Sequence, residues 1–113
     1  MSADQRFAEL AVADGVARAT VRPEHARRLC DGHFPGDPIV PGAFLAGLMA
    51  EVAAALVPGG ARLAEVERAV FLARVTPDEA IIVTARLEGA SRAAAEVHTP
   101  AACVARATLR FAS

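Results

Sequence analysis

Residues 43–57 read Ala-Phe-Leu-Ala-Gly-Leu-Met-Ala-Glu-Val-Ala-Ala-Ala-Leu-Val, fifteen positions with one ionisable side chain, Glu51, and Pro58-Gly59-Gly60 stops them. A helix of that length is about 22 Å long. It falls short of the roughly 18 to 20 residues that a bilayer span requires, so it is expected inside protein, with no membrane insertion. Being apolar on every side except at Glu51, it must be surrounded by protein. A buried central helix is the expectation.

The rest of the chain must supply the walls. Asp14-Gly15 separates two β-compatible runs, 7–12 and 16–21, and an Asp-Gly pair tolerates the positive φ angles of a tight hairpin. Residues 23–28 suit a short helical turn, with Pro23 at a first helical position and Glu24 in the first turn. Beyond the glycines the apolar period becomes two. Ile81, Val83, Ala85 and Leu87 alternate with Ile82, Thr84, Arg86 and Glu88, and Cys103, Ala105, Ala107, Leu109 and Phe111 alternate with more polar neighbours. Residues 62–75 and 91–98 read as two further strands, the first changing phase near Glu67-Arg68 as a bulge would make it do. The fold class is therefore α+β, a single domain over 1–113 in which an antiparallel sheet wraps one buried helix.

Composition narrows the function. The chain has 113 residues, net charge −1 and 4% aromatics, so it lacks the basic stripe and aromatic platforms of a nucleic-acid binder. Its 28 alanines, with no Trp, Tyr, Asn or Lys, give a core of small side chains, marginal for a lone domain of this size, and self-association is expected. The N-terminus shows no positive start followed by an apolar run, which points to the cytoplasm. Cys30 and Cys103 are far apart, and a reducing compartment keeps both as thiols.

Between the hairpin and the helix, residues 31–42 hold three prolines and three glycines, which no regular element survives. Within them, His33-Phe34-Pro35-Gly36-Asp37-Pro38-Ile39-Val40-Pro41-Gly42 resembles the His-Phe-Pro-Gly-x-Pro-x-x-Pro-Gly motif of the hot-dog fold 3-hydroxyacyl-[acyl carrier protein] dehydratases, with every fixed position filled. Residues 69–79 are similar, more weakly, to that family's strand and turn after the central helix. The resemblance implies dehydration of a 3-hydroxyacyl thioester, on acyl carrier protein or coenzyme A, to the trans-2-enoyl thioester, with no metal or redox cofactor. It implies a dimer whose sites straddle the subunit boundary. The motif histidine of one protomer takes the proton beside the carbonyl, and a helix acid of the other protonates the departing hydroxyl. That acid stands fourteen positions beyond its own chain's motif histidine, and here position 47 is glycine. Glu51, one turn on, shares the helix face of Gly47.

The residues carry a chemical case of their own. Pro41-Gly42 offers no capping side chain, so the first N–H groups of the helix need another partner, and a thioester oxygen would serve. The helix dipole and those donors would stabilise an enolate. Gly42 would let substrate approach the backbone, beside Phe34, Pro41, Ala43 and Gly47. His33 titrates in the range of a general base, although a histidine in a loop also serves to bond loop backbone. Glu51 is either the substitute acid or a buried carboxylate paired with Arg62, Arg68 or Arg74. Gly47 also fits a small-residue stripe with Ala43, Ala46, Ala50 and Ala54. Cys30, His33 and His25 lack a fourth partner for zinc, so no metal is expected. Asp37 fits a turn, or the base of a thioesterase. Arg22, Arg27 and Arg28 form a solvated face or a landing site for an acidic carrier.

The open alternatives are a subunit that needs a homologous hot-dog partner to supply the acid, forming a heterodimer instead of a homodimer, and a thioesterase or acyl-thioester binding protein.

Overall fold

A computed structural model describes residues 6–30, 40–57, 59 and 62–112. In chain order it contains β1 (Phe7–Ala13), β2 (Val16–Val21), α1 (Pro23–Leu29), α2 (Gly42–Ala54), β3 (Arg62–Phe71), β4 (Ile82–Leu87), β5 (Arg92–His98) and β6 (Cys103–Ala112). The six strands form one antiparallel sheet in the order β1-β2-β4-β5-β6-β3. The β1–β2 turn is the one the Asp-Gly pair predicts, with Asp14 at φ 53° and Gly15 at φ 76°.

Strand register explains how an alanine-rich chain builds a core. One row across all six strands reads Val12, Ala17, Ala85, Ala95, Ala107, Ala69, and all but its two end members are buried. These short side chains keep the sheet surface low, so α2 can approach closely. The helix then fills the layer with Leu45, Leu48, Met49 and Val52. The adjoining row, Leu10, Ala19, Val83, Val97, Ala105, Phe71, restores bulk beside it.

Within a single chain the central helix is buried on its sheet side, through Leu45, Leu48, Met49, Val52 and Ala53, while Ala43, Phe44, Gly47 and Glu51 are exposed. The exposed face carries Phe44 and the helix's one charge, Glu51, and is otherwise alanine and glycine, so a polarity pattern gives little warning of it. Two elements end earlier than expected. Hydrogen bonding of the α type stops at Ala54; Ala55, Leu56 and Val57 donate three residues back, the tightened turn expected as a chain nears proline.

The strand read over 62–75 ends at Phe71. Beyond it Leu72 N–H still reaches the Val104 carbonyl (2.8 Å), but the chain then turns in to bury Val75. The phase change near Glu67 is real, with register shifts at Leu63/Glu65 and Val66/Arg68. Glu67 accepts two hydrogen bonds of 2.8 Å from Arg92, tying edge strand β3 to β5 across β6.

Candidate active site

The start of α2 is fixed by backbone contacts. Val40 N–H donates to the Val75 carbonyl at 2.7 Å, and the Pro41 carbonyl accepts from Phe44 (3.0 Å) and Leu45 (3.2 Å). Pro41 has extended geometry, φ −60° and ψ 147°, and no side chain among the described residues caps the helix. Among the described residues the uncapped N-terminus expected from Pro41-Gly42 is therefore present, and its dipole favours an anionic group.

Gly42 has a second reason to be glycine. The ring of Phe71 lies 3.3 Å from the position a Cβ would take. A side chain here would meet the chain's own aromatic ring, a packing reason for glycine that stands beside the close approach of substrate expected from the sequence. Phe71 is itself 48% exposed and lies at the surface. Ala43 beside it is exposed.

Gly47 is exposed, and no atom of the described residues lies within 4 Å of where its Cβ would be. The position that the resemblance assigns to an acid thus lies on the exposed face of α2. Glu51, a turn later, is engaged: Arg6 Nε stands 2.9 Å from its Oε2, an ion pair whose geometry falls short of an aligned hydrogen bond. Partial burial raises the Glu51 carboxyl above its ordinary range, and Arg6 pulls it back. None of Arg62, Arg68 and Arg74 is this partner. The bulge at Glu67 turns Arg68 to the sheet face away from α2, where it pairs in register with Thr108. Arg6 precedes β1, and its place is set by its carbonyl, which accepts from Arg22 N–H at 2.7 Å. His25, half-buried on α1, is held below its ordinary pKa by burial first, then by Arg28 and Arg6.

His33, Phe34 and Asp37 lie outside the described residues. Cys30, just before that segment, is buried. A hollow of about 300 Å³, lined by Arg68, Val70, Glu96, Arg106 and Thr108, opens on the opposite sheet face, away from α2. Sequence reasoning also missed one cluster on that face, in which Glu96, His98 and Cys103 converge. No helix among the described residues is long and apolar enough to cross a membrane.

A helix packed on a six-stranded antiparallel sheet, entered through a proline-glycine corner, is the architecture of the hot-dog proteins. Comparison with known structures agrees. The dehydratase heterocomplex ApeI:P from Xenorhabdus doucetiae contains a chain of 16% identity with TM-score 0.76, covering 89% of this chain and 90% of that one. A protein from Streptococcus mutans, solved with acetyl-CoA, shares 12% identity at TM-score 0.73 (98% and 90% covered). A putative thioesterase from Ralstonia eutropha, related to phenylacetic acid degradation, shares 18% at TM-score 0.71 (91% and 82%). None of the curated proteins compared with the chain matches it. The profile of the ApeI-like family, described as ApeI dehydratase, matches residues 10–106. The chain belongs to that family.

Proposed function

We propose that this chain is the histidine-bearing half of a hot-dog dehydratase that converts 3-hydroxyacyl thioesters to trans-2-enoyl thioesters, and that a homologous partner subunit supplies the acid. The observation that carries the proposal is the pairing of an empty Gly47 with an engaged Glu51. The helix position suited to a proton donor has no side chain, and the one carboxylate of the helix, Glu51, is tied to Arg6.

In this reading the thioester oxygen rests against the uncapped start of α2, near Pro41, Gly42 and Ala43, with Phe34 lining the acyl path. His33 removes the α-proton, and the electron pair of that C–H bond becomes the enolate stabilised by the helix dipole and free N–H groups. The enolate collapses to the α,β-double bond as the β C–O bond breaks, and the partner's acid protonates the departing hydroxyl to water. Glu51 is the reserve donor if the chain acts alone. No cofactor enters, and the thioester is carried by acyl carrier protein or coenzyme A in fatty-acid or polyketide-type metabolism of the cytoplasm.

The uncovered face of α2 and the inner face of β3 support a subunit interface. Leu63 (42%), Val66 (40%) and Phe71 (48%) expose apolar surface there, next to the helix. The test is to purify the chain alone and together with a co-purifying hot-dog subunit, then follow enoyl-thioester formation and free-thiol release. Formation of enoyl thioester only by the mixture supports the proposal. An active homodimer overturns the division of labour, and thiol release without enoyl product would show a thioesterase instead.

A further inference from the structure

On β5, Glu96 and His98 are two residues apart and so project from one face of the sheet, the face turned away from α2. Cys103, at the start of β6, is the register partner of His98 across the turn that joins the two strands. The result is a carboxylate, an imidazole and a thiol whose ligand atoms all lie within 4.8 Å of one another. All three side chains are half-buried, and the dehydratase reading uses none of them.

We propose that Glu96, His98 and Cys103 form a binding site for a zinc-type divalent cation on the outer face of the sheet. The donor set is the borderline-soft mixture that zinc takes, and three protein ligands leave a fourth position for water or another molecule. Tetrahedral bonds of ordinary zinc length place neighbouring ligand atoms about 3.3–3.6 Å apart. His98 Nε2 and Glu96 Oε1, now 2.8 Å apart, need to open slightly, and the widest separation must close by roughly 1.3 Å at most, a rotamer-scale change. The existing commitments are weak enough to allow it: Cys103 Sγ donates only a long 3.5 Å contact to the Ala105 carbonyl, and Glu96 and His98 bond each other. Arg106 faces Glu96 in register and opposes a cation, but no ion pair joins them among the described residues. Glu96 and a Cys103 thiolate bring two negative charges against it. The site is distinct from the Cys30, His33 and His25 combination, and it stands or falls apart from the dehydratase reading.

The experiment is titration of the purified, folded chain with cobalt(II), read by absorbance, followed by displacement with zinc. One equivalent should bind with a near-ultraviolet thiolate-to-cobalt band, and zinc should remove it. Cys103→Ser should abolish the band, Cys30→Ser should leave it intact, and His98→Ala or Glu96→Gln should weaken zinc binding at least about tenfold. A band that follows Cys30, binding indifferent to all three cluster substitutions, or no stoichiometric binding at micromolar metal would each overturn the proposal. Thermal unfolding of every variant confirms that lost binding is not lost folding.

Discussion

The ring of Phe71, at the end of β3, lies across the backbone of Gly42 in the first turn of α2, 3.3 Å from where a side chain would begin. The two elements at the N-terminal end of the helix are therefore fitted to each other. Gly42→Ala should be destabilising in the native chain and much less so in a Phe71→Ala background. A double-mutant cycle by chemical denaturation should give a coupling of about 0.5–1 kcal/mol, the lower part of the range of about 0.5–3 kcal/mol found for residues in contact. Additive effects would show that the ring yields freely.

Arg6 acts on two titrating groups with the same sign. It favours the Glu51 carboxylate and disfavours the His25 imidazolium, lowering both pKa values. Arg6→Gln should therefore raise both in an NMR titration. The carboxyl of Glu51 already lies above the 4.5 of an ordinary glutamate. Its contribution to stability is complete below the unfolded value and declines as pH rises through the folded one, so Arg6→Gln should make that decline steeper. The pair is about two-fifths exposed and screened, so the effect should stay below about 1 kcal/mol.

Among the described residues nothing crowds the place where a Gly47 side chain would begin, and a glycine inside a helix costs about 1 kcal/mol relative to alanine. Gly47→Ala should stabilise the isolated chain by roughly that amount in denaturant unfolding. A loss of stability would mean that another subunit packs against this position closely enough to forbid a methyl group.

Much of the architecture can be read from residue order. Asp14-Gly15 encodes its turn by conformational tolerance, and period-two alternation encodes β4, β5 and β6. The exposed side of α2 is hidden because Ala43, Phe44 and Gly47 are apolar like the buried Leu45 and Met49, leaving Glu51 as its one polar sign. The Arg6–Glu51 pair is hidden because no local pattern links the approach to β1 with the middle of α2. The Glu96, His98 and Cys103 cluster likewise exists only through cross-strand register, since ligand spacing along the chain does not announce it. His33 and Phe34, the clearest signal in the sequence, lie outside the described residues, so their part in the site rests on the motif and the family.

Val66 faces the α2 side of β3 and remains 40% exposed, as a residue awaiting a partner would. Val66→Asp should shift the assembly toward monomer in sedimentation velocity while leaving the far-ultraviolet spectrum unchanged. An unaltered oligomer would place the interface elsewhere.

The most direct test of the divided active site is the dehydration rate of the chain by itself, measured on one 3-hydroxyacyl thioester for the native sequence, Gly47→Glu and Gly47→Glu/His33→Ala. The account predicts little or no turnover by the native chain, a gain of about 100-fold or more with Gly47→Glu, in line with the worth of a positioned proton donor, and loss of that gain without His33. Native turnover that Gly47→Glu does not raise would contradict it.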